Sequence, residues 1–162
     1  MISLKITKYA LIVIIYIFVI LILTSCNYTI NELWNKNWSF KIPPPTKIIK
    51  VYDSIGGAPA NGDAYYICKY NNEQVFTKVK KMKLWEKINN KSMPTLRQYV
   101  NKTMRSLSKS SLINKEINTF FKNIKQLKNY NLYYLKIEED SSYFLALLND
   151  SQNEIYIIEV WF

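Results

Sequence analysis

No histidine occurs anywhere in this chain of 162 residues. That absence removes Ser–His–Asp and Cys–His nucleophile systems, and His-ligated zinc with them. Only two cysteines are present, Cys26 and Cys68, where an all-thiolate zinc site needs four. Glycine is scarce as well: Gly56, Gly57 and Gly62 are the whole complement, all in one stretch. No phosphate-binding glycine loop ending in Lys-Ser/Thr appears, nor a G-x-S-x-G elbow. Ser106-Leu107-Ser108-Lys109 has the S-x-x-K spacing of a serine acyl-enzyme, but no S-D-N or K-T-G partner follows it. Negative charge is the other shortage, with 12 acidic residues against 22 basic ones and a net charge of +10. No catalytic residue, cofactor or metal is assigned on these grounds.

What is present begins with an address. Lys5 and Lys8 precede an unbroken apolar run over residues 9–23. A bilayer core takes about 20 apolar residues in a helix, so this run is short for a spanning segment. A positive start, a short apolar stretch and small residues before a cut site describe a secretory signal. The segment Leu23-Thr24-Ser25-Cys26 resembles a bacterial lipobox, at which a cysteine is lipidated and becomes the new N-terminus. The resemblance implies a signal peptide over 1–25 and a diacylglyceryl thioether on Cys26. Two acyl chains hold a protein stably where one does not. The competing reading is an uncleaved helical anchor. The expected location is the extracytoplasmic face of a bacterial cell membrane, and export speaks against nucleic acid as a partner.

Residues 26–162 keep all 12 acids and lose only Lys5 and Lys8, for a net charge of +8. Such a charge draws a tethered domain toward anionic lipid or an anionic cell wall. The bland source is genome composition, because Lys, Asn, Ile and Tyr are all abundant. With Cys26 lipidated, Cys68 has no partner in the chain, and the fold rests on its core rather than on a disulfide. Cys68 lies in an apolar run, 64–70, and is expected to be a buried, inert thiol.

Along the chain, residues 26–45 read as a tether, polar and closed by Pro43-Pro44-Pro45. Trp34, Trp38 and Phe40 interrupt it, and either rest at the lipid interface or pack back on the domain, the second being favoured. The domain is taken as 46–162. Strands are expected at 47–52 and 64–70, where β-branched and aromatic residues cluster. Residues 73–88 are read as a helix from Val75, Val79, Met82 and Trp85, against a strand after an Asn71-Asn72 turn. Leu96, Val100, Met104 and Leu107 mark a second helix with Pro94 in its first turn. Ile113, Ile117, Phe120, Ile124 and Leu127 mark a third, capped from the Ser108–Ser111 cluster, with Lys115, Lys122, Lys125 and Lys128 on its other sides. Three closing strands, 132–138, 143–148 and 154–161, imply an antiparallel meander. The expected fold class is α+β: a single domain with a mostly antiparallel sheet of about five strands, covered by two or three helices.

The segment 53–63 is the candidate site. Asp53, Asn61 and Asp63 surround Gly56 and Gly57, and a double glycine implies positive φ or close backbone approach. One reading is an oxygen-lined cation or polar-ligand site, although the spacing is not that of an EF-hand. The other is a structural turn whose Asp and Asn cap backbone amides. The stretch Asp53-Ser54-Ile55-Gly56-Gly57-Ala58-Pro59-Ala60-Asn61-Gly62-Asp63-Ala64 resembles the D-T-H-G-G-F-H-G-D-G signature of a small uncharacterised family. That family belongs to low-GC Gram-positive bacteria and often occurs as lipoproteins. Trp85 and the segments 144–150 and 155–156 are similar to its later parts. Ile55 and Pro59 stand where that pattern has histidines. The resemblance implies a compact α+β domain and carries no activity.

The functional expectation is a membrane-anchored surface lipoprotein acting as a non-enzymatic binding or protective module of unknown ligand. The alternatives are a small surface enzyme using carboxylates of the glycine-rich loop, and an immunity- or inhibitor-type protein that meets an unknown protein partner.

Overall fold

The computed structural model describes residues 28–56, 61–108 and 114–162. The chain divides into two compact units, Met1–Ser39 and Phe40–Phe162. The first contributes one described helix, α1 (Ile30–Trp38), within the segment read as a tether. Thr29 caps it: its hydroxyl accepts from the Glu32 N–H, and Glu32 returns to the Thr29 N–H at 2.7 Å. This reciprocal pair satisfies two donors that a helix start leaves orphaned. Ser39 ends the helix at φ 55°. Trp34 and Trp38, one turn apart, are both fully buried.

The second unit is the α+β domain. Its strands are β1 (Lys47–Asp53), β2 (Gly62–Lys69), β3 (Glu86–Lys87), β4 (Leu132–Ile137), β5 (Tyr143–Asn149) and β6 (Glu154–Trp161). They form one sheet in the order β1-β2-β6-β5-β4-β3, and every pair is antiparallel. The sheet has six strands rather than five, the extra one being the two-residue β3. The closing meander β4-β5-β6 is as expected from its spacing.

Sequence explains the centre of this sheet well. β5 (YFLALLN) is buried at every residue, and β6 (EIYIIEVW) at all but Trp161. Near-continuous apolar runs suit strands covered on both faces. Side chains alternate faces, so cross-strand partners share one. Tyr65, Ile158, Leu145 and Leu135 stand in one row across four strands, and Tyr66, Ile157, Ala146 and Tyr134 in the adjacent row on the opposite face.

The first face carries two helices, α3 (Ser92–Ser108) and α4 (Lys115–Ile124). Leu96, Val100 and Leu107 from α3, with Ile117, Phe120, Phe121 and Ile124 from α4, pack on Tyr65, Leu145, Tyr156 and Ile158. Asn89 and Ser92 cap α3 reciprocally, and Pro94 is its third residue. α4 is capped by Asn114, whose side chain accepts the Ile117 N–H at 2.9 Å. The serine cluster is thus not the cap; of the expected stripe, Ile113 lies outside the described residues.

The opposite face receives the chain between α1 and β1. Phe40 is fully buried, with its ring 4.9 Å from Phe144, 5.2 Å from Tyr134 and 5.7 Å from Trp85. The Tyr70 hydroxyl donates to the Pro43 carbonyl at 2.8 Å, and Thr46 N–H donates to the Lys69 carbonyl. The proline stretch is therefore fastened to the end of β2. Helix α2 (Glu73–Lys80) follows, capped by Asn72, which takes the Gln74 and Val75 amides. Asn is among the strongest N-caps, so the Asn71-Asn72 pair opens a helix here rather than a hairpin. Helical spacing runs past the helix itself: Met82 and Trp85 lie beyond Lys80, and the indole N–H of Trp85 donates back to the Val79 carbonyl.

Candidate functional site

The loop at 53–63 joins the edge strand β1 to its neighbour β2. β1 carries a bulge between Lys50 and Tyr52. The extra residue resets the alternation, so Lys50 and Asp53 come to one face and pair at 2.7 Å. The other oxygen of Asp53 accepts the Ile55 N–H at 3.1 Å. Asp53 is thus a turn-forming carboxylate of the kind that Asp supplies by bonding its own backbone two residues on.

Asp63 is not a backbone cap. Its carboxylate accepts the Tyr65 hydroxyl at 2.8 Å. Its own backbone is bracketed by Ser54: the Ser54 N–H donates to the Asp63 carbonyl, and the Asp63 N–H donates to Ser54 Oγ at 2.9 Å. Asp53 pairs with Ala64, one residue on, so Asp53 and Asp63 project to opposite faces of the sheet. Asn61 bridges to Gly56 across the loop. Gly57 lies outside the described residues. The four described residues of the five singled out by sequence therefore do not converge on one point: two acids diverge, and Gly56 with Asn61 closes the hairpin.

Of the Gly56-Gly57 pair, expected to hold a positive φ or a close backbone approach, Gly56 shows neither. A Cβ on Gly56 would meet nothing within 4 Å. Gly62 is the constrained one, with φ +138° and a Cβ position only 2.6 Å from the Ser54 carbonyl oxygen. The signal was present in the Asn61-Gly62 dipeptide, a turn pair, and was outweighed by the more conspicuous Gly56-Gly57. Ser54, which holds Asp63 by three bonds, carried no signal beyond its neighbour Asp53.

Burial raises the Asp63 carboxyl above the usual aspartate range, and the Tyr65 hydroxyl offsets part of that. The Tyr65 phenol is raised by burial, then by the Asp63 charge. An acid whose folded pKa is raised binds its proton more tightly when folded, so stability falls as pH rises from the unfolded value through the folded one. Above that window the ionised Asp63 is a cost. Asp63→Asn, which keeps an oxygen for Tyr65, should be at least as stable as the natural domain at pH 7. The difference should shrink as pH falls toward 3.8, the ordinary aspartate value. Urea titrations at several pH values measure it; a loss of stability at pH 7 that is absent at pH 3 would contradict the assignment.

Other candidate groups are held in structural roles. Cys68 is fully buried and reduced, and burial pushes its thiol up to about 12, far from a reactive thiolate. Glu154 meets Lys69 at 2.5 Å and takes the Tyr156 hydroxyl at 2.9 Å. The Tyr143 and Thr103 hydroxyls share a bond of 2.5 Å between β5 and α3. Ser106 of the S-x-x-K match lies on the exposed side of α3, and Lys109 is outside the described residues. Two shallow hollows of about 330 and 400 Å³ flank the β3–α3 turn around Asn89, and no residue of the 53–63 loop lines either. Among the described residues no group of three His, Cys, Asp or Glu side chains could hold a metal ion, and no helix is long and apolar enough to cross a membrane. Cys26 and the apolar run at 9–23 lie outside those residues.

No protein-family model matches the chain, and no curated protein or solved structure matches it. The likeness therefore rests on the segment 53–64, Trp85 and the segments 144–150 and 155–156 alone.

Proposed function

We propose that the chain is a lipoprotein anchored through Cys26 at the extracytoplasmic face of a bacterial membrane, and that its domain binds rather than catalyses. The anchor is supported by the order of features in the first 26 residues: two lysines, an apolar run too short to span, then Leu-Thr-Ser-Cys. A binding role is supported by the disposition of the glycine-loop carboxylates. A carboxylate enzyme needs two acids across one substrate position. Asp53 and Asp63 point to opposite faces, and each is already engaged, Asp53 by Lys50 and Ile55, Asp63 by Tyr65.

The observation that carries the anchor is a single cysteine at the end of the signal, so the decisive variant is Cys26→Ala. Cells making the natural chain should incorporate labelled fatty acid into it. The variant should take up none and should keep its signal, running about 25 residues longer on a gel. Label that persists in Cys26→Ala would overturn the anchor.

A further inference from the structure

The positive charge of the exported chain is not spread over the fold. Residues 88–131 hold nine lysines and arginines and one acid, Glu116. Residues 28–87 and 132–162 together hold eleven basic and eleven acidic residues. The whole excess of +8 thus belongs to the segment that builds α3, α4 and their flanking turns.

The fold turns this sequence bias into a surface. Both helices pack on the same face of the sheet through Leu96, Val100, Phe120 and Ile124. Their other sides are exposed, and there stand Arg97, Arg105, Lys115, Lys122, Lys125 and Lys128. The ion pairs Lys50–Asp53, Lys69–Glu154, Lys80–Asp150 and Lys136–Glu138 lie on other elements. Arg97 to Arg105 runs about 12 Å along α3, and Lys115 to Lys125 about 15 Å along α4. Amide side chains, Gln98, Asn101, Asn118 and Gln126, fill the exposed positions between them. Of the large apolar side chains exposed in the second unit, Ile137 stands at the end of β4 and Phe162 lies against α3, its ring 4.5 Å from the Lys102 ammonium.

We infer that the outer surface of the α3–α4 layer is a docking surface for anionic lipid headgroups of the membrane in which the chain is anchored. The cations are spread over two helices, which suits a planar array of phosphates better than a single polymer strand. Polar side chains between them favour resting on headgroups over insertion into the acyl region. Each cation brought within a Debye length of an anionic surface is attracted, and a chain already tethered there meets that surface at high effective concentration. The inference rests on the proposed anchor only for that last point.

The test uses the full-length chain with its apolar run uncleaved, reconstituted into vesicles of neutral phosphatidylcholine or of phosphatidylcholine with phosphatidylglycerol. Lysines are labelled with an uncharged amine reagent and read by mass spectrometry. On anionic vesicles labelling of Lys115, Lys122, Lys125 and Lys128 should fall at least about threefold relative to neutral ones, and should recover in about 0.5 M salt. Lys47, exposed on β1 and outside the layer, serves as the internal reference and should not change. In the triple variant Lys115→Gln, Lys122→Gln, Lys125→Gln, all at exposed positions, the slowing at Lys128 should be lost. Equal labelling on the two vesicle types would overturn the inference. So would slowing by a soluble glycerol-phosphate polymer on neutral vesicles with none on anionic ones, which would assign the layer to a cell-wall polyanion. Failure of the anchor reading appears separately, as fatty-acid label independent of Cys26, and leaves the vesicle comparison intact.

Discussion

Gly62→Ala should destabilise the domain by about 3 kcal/mol, whereas Gly56→Ala should change it by less than about 0.5 kcal/mol. The two positions belong to the same loop, and only geometry separates them. At Gly62 the backbone stands at φ +138°, a conformation that costs any residue with a Cβ about 1–3 kcal/mol. The added methyl would also stand 2.6 Å from the Ser54 carbonyl oxygen and 2.8 Å from its carbon. Backbone atoms yield less readily than a side chain. Here they are further pinned, because Ser54 and Asp63 exchange three hydrogen bonds directly beside the contact. Relief would require breaking that clasp or peeling Gly62 from Trp161 on β6. At Gly56 a Cβ has open space. Denaturant unfolding of both variants gives the comparison. A Gly62→Ala domain as stable as the natural one would show that the hairpin relaxes freely, and the clasp would lose its role.

The loop illustrates which features were legible. β-branched and aromatic runs gave the strands, because a strand buried on both faces needs apolar residues at every position, as in β5 and β6. Helices α3 and α4 were legible because only one face of each is buried and the period shows. Side-chain direction across a bulge was not legible. One extra residue in β1 decides that Lys50 meets Asp53 and that Asp53 turns away from Asp63, and nothing in the composition of 47–53 announces it. Asp53 and Asp63 look like a pair in one dimension and are separated by the pleat in three. The opposite failure occurred at 30–38. Thr29 and Glu32 have the spacing of a capping box, a local helix signal that stands among polar residues with the composition of a tether. Charge segregation needed both sources: the excess at 88–131 is countable in the sequence, but only the shared packing of α3 and α4 makes it one surface.

The segment before β1 yields the second large effect. Phe40→Ala should cost about 3–5 kcal/mol, the loss expected of a central core phenylalanine rather than of a linker residue. Its ring is wholly buried and meets three aromatic partners at once, Phe144 and Tyr134 at tilted angles and Trp85 edge-on. Aromatic pairs add to the area that burial removes from water, so three of them place Phe40 above an average buried side chain. The partners come from β4, β5 and the turn after α2, elements far apart in sequence. Truncation would therefore open a cavity that no single neighbour can close. Ile42 is buried two residues on, and the Pro43 carbonyl is held by Tyr70, so the chain has little freedom to refill the space. Exposed Lys41, between them, provides the control: Lys41→Ala should stay within about 0.5 kcal/mol. Thermal or urea unfolding of the two variants decides the matter. If Phe40→Ala matches Lys41→Ala, the ring is a passenger and the domain starts at β1; if it loses several kcal/mol, the sheet is finished by a residue that composition assigned to the tether.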